Sequence, residues 1–279
     1  MPGGKKMYQL GWFSTGRGKG SRGLLKVVHD SIESGEISAE IAFVFCSREH
    51  GETEQTDIFL KMVEDYGIPL VTFSYQKYKG KVSGSAGSGE ELPSCRLGYD
   101  REVMARLQDF KPDLCVLAGY MLIVGPEMCR KYDMINLHPA APGGPAGTWQ
   151  EVIWKLIGAD AESTGAMMHL VTPELDKGPV VAYCTFPIRG QAFDRHWAEI
   201  KGKSVSQVKQ EQGEENALFQ LIRQHGVIRE LPLITATIQA FSQGRMKITP
   251  DKQVVDAQRK SIRGCDLTAE IDEKIRGSL

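Results

Sequence analysis

A mostly parallel α/β sheet with helices on both faces is the fold this sequence predicts, and three observations predict it. Short, almost unbroken apolar runs recur through the first two thirds of the chain. Longer stretches with apolar residues at helical spacing separate them. A glycine-rich loop follows the first run and opens the first such stretch. Strands buried on both faces read as continuous apolar runs, and strand–helix alternation favours parallel neighbours.

Tyr8–Phe13 is the first predicted strand, and Ser21–Ser34 a helix with Leu24, Leu25, Val27, Val28 and Ile32 along one side. Ala39–Cys46 reads as strand two, Glu54–Tyr66 as a helix and Leu70–Phe73 as strand three. Tyr78–Glu91, rich in Gly, Ser and Lys, reads as a mobile surface loop. A helix over Asp100–Phe110 precedes strands at Leu114–Ala118 and Met134–Leu137. Ser163–Val171 and Val180–Pro187 read as two further strands, antiparallel because their connection is short. Ile188–Gly213 is polar and mixed without a clear period, Glu214–Gln224 and Leu231–Ser242 read as helices, and the chain is polar from Thr249 on. The organisation expected is an α/β domain over 1–187, an insertion of unassigned role over 188–229, a final helix over 230–248 and a polar tail over 249–279.

With 279 residues, 41% hydrophobic and 25% charged, the chain has the make-up of a soluble globular protein. A net charge of −1 gives no general attraction for nucleic acid. No run of 18 apolar residues is present, so no membrane span is expected. The start MPGGKKMYQLGWF lacks the apolar core and small-residue cleavage site of a signal peptide. The cysteines at 46, 95, 115, 129, 184 and 265 show neither C-x-x-C nor metal spacing, and Cys46, Cys115 and Cys184 sit in apolar runs where buried thiols are expected. This usage suits a reducing cytoplasm.

Ser14–Gly23 contains G-x-G-x-x-G at Gly18, Gly20 and Gly23, with Arg17, Lys19 and Arg22 interspersed. Glycines let backbone amides approach an anion, and a helix N-terminus adds positive potential. A dinucleotide, with Arg48 on a ribose phosphate, and a simple phosphate monoester are the two candidate occupants; a turn with solvated basic residues is the bland alternative. The dinucleotide is disfavoured because no acidic residue stands at the immediate end of strand two and the second half lacks a repeated βαβ unit.

The most informative stretch is Met134–Trp149. Asn136 and His138, two apart on a strand, point the same way and sit just before a Pro/Gly-rich loop. An amide donor beside an imidazole suits stabilisation of a developing oxyanion at a carbonyl. Asp176, in the tight loop Thr172–Pro179, stands at the same sheet edge, where it would hold the imidazole charged; the alternative is plain turn chemistry. His169 lies between apolar neighbours and is expected to be a packed core histidine. His29, His50, His196 and His225 show no metal spacing.

Taken together, Asn136-Leu-His138-Pro, Leu175-Asp-Lys-Gly-Pro179 and Val116-Leu-Ala-Gly-Tyr-Met121 resemble the folate-dependent formyltransferases, and among them most closely the phosphoribosylglycinamide formyltransferases of purine synthesis. The likeness runs from about Tyr8 to Pro187 and returns near Glu230–Lys247. It implies a Rossmann-like sheet without a nicotinamide, extended by C-terminal strands that carry a folate cleft. It implies formyl transfer from 10-formyltetrahydrofolate to a primary amine, glycinamide ribonucleotide above all, with no metal. Carried over by position, Asn136, His138 and Asp176 are catalytic. Arg96, Met121, Leu122, Ile123, Val124 and Asn136 face the folate. Gly20, Ser21 and Arg22 take the acceptor's phosphate, and Glu230 touches the acceptor. The expected partner is a phosphorylated small-molecule amine, with no nucleic acid and no membrane, and the expected assembly is a monomer or homodimer.

Departures cluster on the acceptor side. Arg22 replaces a usual Asn, Leu122 a usual Arg, Ala140–Trp149 the usual Leu-Leu-Pro wording, and Glu230-Leu231 an acidic–His pair; Gly190–Arg229 is longer than the family needs. Other readings are a formyltetrahydrofolate hydrolase, whose kind carries a regulatory domain before the sheet where this chain starts strand one near Tyr8; a transferase for another acceptor, such as initiator tRNA; and a non-catalytic folate or nucleotide binder.

Overall fold

The computed structural model describes residues 7–82 and 94–277. Strands β1 (Tyr8–Ser14), β2 (Ala39–Cys46), β3 (Leu70–Thr72), β4 (Leu114–Leu117) and β5 (Met134–His138) run parallel in the order β3-β2-β1-β4-β5. Helices α1 (Lys19–Glu33), α2 (Glu54–Asp65), α3 (Tyr75–Val82), α4 (Ser94–Arg106) and α5 (Pro126–Lys131) connect them. After α6 (Trp149–Gly158), strand β6 (Ser163–Leu170) returns antiparallel to β5, and β7 (Val180–Pro187) pairs antiparallel with β6. Then come α7 (Gln191–Glu199), α8 (Val205–Gln212), the long α9 (Ala217–Ser242), a hairpin of β8 (Met246–Ile248) and β9 (Val254–Asp256), β10 (Cys265–Asp266) and α10 (Thr268–Lys274). The mostly parallel α/β sheet is thus as the sequence predicts.

Alternation along the strands creates two cores. Trp12, Val44, Val116 and Ile135 point to one face, where α1, α2 and α9 cover them through Leu25, Phe59, Leu60 and Leu233. Phe13, Phe43, Phe45 and Leu117 point to the other, under Tyr99 and Val103 of α4 and Met128 of α5. Cys46, Cys115 and Cys184 are fully buried, as expected, and burial pushes the Cys46 thiol up to about 12 and that of Cys184 to about 11.

The second half departs from the sequence reading. Residues 188–229 are no polar insertion: Phe193 and Trp197 of α7, Val208 of α8 and Leu218, Phe219 and Ile222 of α9 form a third core with Val152, Trp154 and Leu156 of α6. Short helices with few apolar residues each left no visible period. The helices expected at Glu214–Gln224 and Leu231–Ser242 are one helix, continuous through Pro232. Its early residues pack on α6 and its later ones on the sheet, and this burial outweighs the propensity cost of one proline. The 229/230 boundary therefore falls inside a helix. The segment after Thr249 is not a tail either: β10 extends the sheet beside β7, and α10 buries Ile271 against the core. Tyr78–Val82, expected in a mobile loop, belongs to α3, with Tyr78 against Phe73 and Tyr99; residues 83–91 of that expectation lie outside the described residues. The helix expected at Asp100–Phe110 begins earlier, at Ser94.

Candidate active site

Chain order reverses between β1 and β4, and the loops after β1, β4 and β5 meet at the carboxyl edge there, where open α/β sheets bind ligands. Asn136 and His138 end β5 on the same face. The antiparallel return of β6 sets His169 directly opposite Asn136. Asp176 arrives on the β6–β7 connection, which is pinched shut by the Leu170 N–H bond to the Pro179 carbonyl at 2.8 Å. A Cβ on Gly178 would lie 1.7 Å from the Leu170 carbonyl oxygen, so only glycine permits that closure. Asp176 itself holds a left-handed backbone, φ 55°, which aspartate tolerates better than most residues.

These placements bring four polar side chains together. Asp176 Oδ2 lies 3.6 Å from His138 Nδ1, and its Oδ1 lies 3.6 Å from His169 Nε2; all three side chains are buried. The Asn136 amide donates to His169 Nε2 at 3.2 Å. Carbonyls only accept, so two of them set the tautomers. His169 Nδ1–H donates to Leu170 O at 2.9 Å, and His138 Nε2–H to Pro145 O at 2.9 Å. Each neutral ring then turns a lone pair to Asp176, and only an added proton lets a ring donate to that carboxylate. Burial pushes the Asp176 pKa up, but a hydrogen bond donated by a protonated His169, the charge of a protonated His138 and the Gly147 N–H outweigh it and hold the carboxyl below its usual range. The Gly147 bond spans 3.2 Å. The loop after β5 is anchored by the Thr148–Glu151 capping box that starts α6.

Asn136, His169 and Asp176 share one pocket with Leu122, Ile123, Val124 and Leu175. Ile123 and Leu175 in its wall are 37% and 53% exposed, and Met121, outside the lining, is 48% exposed, leaving apolar surface open to a ligand. Of the residues expected there, Arg96 is absent from the wall. It is buried under the segment, 2.5 Å from Asp100 and between the rings of Tyr75 and Tyr99. Asp100 Oδ2 accepts the Gly125 N–H at 2.7 Å, so Arg96 braces the Met121–Gly125 backbone from below rather than offering a charge to a ligand.

The acceptor-side expectations meet less closely. Gly20 and Ser21 lie in the first turn of α1, whose cap, Gly18, supplies no side chain, and Arg17 and Lys19 are exposed beside it. Arg22 turns away, donating to the Gln55 carbonyl at 3.3 Å and side chain at 3.0 Å. Glu230 is not in the catalytic pocket: on α9, behind Pro139, it accepts from Arg223 at 2.7 Å, and that guanidinium stands 4.6 Å over the Trp149 ring. His169, expected as a core histidine, is a member of the site. A polar side chain amid an apolar strand needs a buried partner, and that was its signal; the partner, Asn136, is 33 residues away and is reached only through antiparallel pairing.

Asn136, two imidazoles and Asp176 beside an apolar cleft, at the carboxyl edge of a doubly wound sheet, supply what a carbonyl-group transfer needs, donors for an oxyanion and a proton acceptor. The family model described as formyl transferase matches residues 18–194, more than half of the chain, and the chain belongs to that family. It is a folate-dependent formyltransferase; the family draws its formyl group from 10-formyltetrahydrofolate. The phosphoribosylglycinamide formyltransferase of Escherichia coli strain K12 is 28% identical over 174 residues, covering 61% of this chain and 68% of that one. The Saccharomyces cerevisiae enzyme of the same name is 31% identical over 126 residues, 43% and 58% of the two chains. Among solved structures, a Coxiella burnetii phosphoribosylglycinamide formyltransferase aligns with a TM-score of 0.66 at 17% identity, covering 94% of this chain and 99% of its own. A Burkholderia mallei formyltetrahydrofolate deformylase aligns at 0.59 and 15% identity, with 90% and 70% covered. At such identities these two speak for the fold alone. Among the described residues no helix is long and apolar enough to cross a membrane, and no group of His, Cys, Asp and Glu could hold a metal ion.

Proposed function

We propose that this enzyme transfers the formyl group of 10-formyltetrahydrofolate to the amine of glycinamide ribonucleotide. The carrying observation is the single pocket in which Asn136, His169 and Asp176 face the apolar Leu122–Val124 segment. The curated relatives named phosphoribosylglycinamide formyltransferase support this acceptor.

In this reading the pteridine lies along Met121, Leu122, Ile123 and Val124, held by backbone and apolar contacts, with Arg96 as the brace beneath. The acceptor's phosphate sits at the α1 N-terminus on Gly20 and Ser21, near Lys19. The amine lone pair attacks the formyl carbon, and the carbonyl oxygen becomes an oxyanion. Asn136, released from His169, donates to that oxygen, and protonated His138 donates from Nδ1, its Nε2–H being held by Pro145. Asp176 takes the proton lost by the amine nitrogen. The C–N bond to the folate then breaks, and a proton passes through Asp176 and its histidines to the departing folate nitrogen. No covalent enzyme intermediate forms.

The test is tetrahydrofolate release with and without glycinamide ribonucleotide. Release that requires the amine and yields the formylated product supports the proposal. Release at the same rate without the amine would mean hydrolysis and sink it.

A further inference from the structure

The loops that would carry the two substrates come from different strands, and one residue ties them. Thr15, buried at the end of β1, makes three bonds. Its backbone N–H donates to the Gly119 carbonyl at 3.0 Å. Its Oγ1 accepts the Met121 N–H at 3.0 Å. The same hydroxyl shares a hydrogen bond with the buried Ser47 Oγ at 3.0 Å, beyond the end of β2. Both ends of the Gly119-Tyr120-Met121 turn therefore hang on one side chain and its own amide. The turn also rests on the other loop: Gly119 has φ +70°, and a Cβ there would lie 2.6 Å from Ser21 Oγ in the first turn of α1. Gly16, the next residue, is held by Ser14 Oγ at 3.1 Å and by Thr56 Oγ1 at 3.3 Å.

We infer that Thr15 is a positioning residue for formyl transfer: its hydroxyl sets the height of the Met121–Val124 segment relative to the α1 loop, and so the gap between formyl carbon and attacking amine. Each element has a physical consequence. The Met121 N–H is part-buried, and losing its acceptor there is costly enough that Met121 would move to find another partner if the hydroxyl were lost. Reacting atoms need about 3–3.5 Å separation, and a shift of about 1 Å can cost roughly a hundredfold in rate. The Ser47 bond fixes the Thr15 rotamer, so Ser47 should matter less than Thr15 itself. The role for the α1 loop rests on the acceptor reading above; the role for the Met121 segment does not.

The decisive variants are Thr15→Val, nearly the same shape without the hydroxyl, and Thr15→Ser, which keeps it. For Thr15→Val we expect kcat to fall about tenfold to a hundredfold. Tetrahydrofolate, titrated calorimetrically against the full chain, should bind about threefold to tenfold more weakly, because a uniform loss of backbone contacts appears in affinity. Thr15→Ser should restore kcat and affinity to within about threefold, and Ser47→Ala should fall between wild type and Thr15→Val, since it leaves the Met121 acceptor in place. Thr15→Val with kcat and tetrahydrofolate affinity both within about twofold of wild type overturns the inference. So does a Thr15→Ser enzyme as impaired as Thr15→Val. If wild type formylates no glycinamide ribonucleotide, the acceptor reading fails, and the tetrahydrofolate affinities still decide the role of Thr15.

Discussion

The catalytic edge and the third core lie at either end of the same short stretch of chain, β5 to α6, yet they are built on opposite terms. At the edge, the His138, His169 and Asp176 side chains are buried and Asn136 is half-buried, with Asp176 on a left-handed backbone. Beyond the loop that follows β5, Trp154 of α6 packs with Phe193, Trp197 and Phe219 from later helices in a cluster of apolar neighbours. Buried polar groups contribute little net stability even when partnered, whereas burying one large apolar side chain contributes about 1.5–3 kcal/mol. The pairing teaches that α6–α9 hold the molecule together on the side where the edge does not. The dense α6–α9 cluster anchors the loop after β5, whose Gly147 N–H holds the Asp176 carboxylate that enters on the β6–β7 connection.

Three measurements would break or sharpen that contrast. The largest effect should come from Phe193→Ala. Removing this buried ring should lower unfolding free energy by about 3–5 kcal/mol while kcat of the folded enzyme stays near wild type. A large fall in kcat at full folding would mean that the third core shapes the site directly. Next, His138→Ala should do the reverse: kcat lower by roughly a hundred- to a thousandfold, about 2.7–4 kcal/mol of barrier, with a far smaller change in denaturant midpoint. Near wild-type turnover would remove His138 from the chemistry.

The smallest effect is one of pH. Asp176 has its folded pKa held below the unfolded value, so it binds its proton less readily in the native state. Its contribution to stability is then complete above the unfolded carboxyl value, about pH 4, and fades as pH falls through the lowered native one. Below about pH 4 the difference in unfolding free energy between wild type and Asp176→Asn should shrink as pH falls. A difference that grows as pH falls below about 4 would contradict the assigned direction.

Much of the edge was legible in the chain. Asn136 and His138 show in their spacing on a short apolar run, and Asp176 shows in its Gly/Pro loop, because these signals are local. His169 was hidden, since burial among apolar neighbours looks the same for a structural and a working histidine until a strand from elsewhere presents Asn136. Arg96 was misleading for the same reason in reverse. Its charge suggests a ligand, but Asp100, one helical turn on, and the rings of Tyr75 and Tyr99 enclose it. Glu230 carries a like lesson, for Arg223 reaches it from two turns earlier on a helix that the sequence reading splits between Gln224 and Leu231.

By itself the sequence determined the parallel sheet, its strand–helix alternation and the identity of the groups that end β5, because period, apolar continuity and turn residues act within a few positions. Tertiary structure decided what those groups face. It placed His169 against Asn136, gave Asp176 two imidazoles, turned Arg22 and Arg96 inward, and made α7–α10 and β10 parts of one body. Most of these contacts join segments far apart in the chain, and the local pairs Arg96–Asp100 and His169–Asp176 are buried only by that packing. Such contacts depend on how whole faces pack, and residue spacing does not record that.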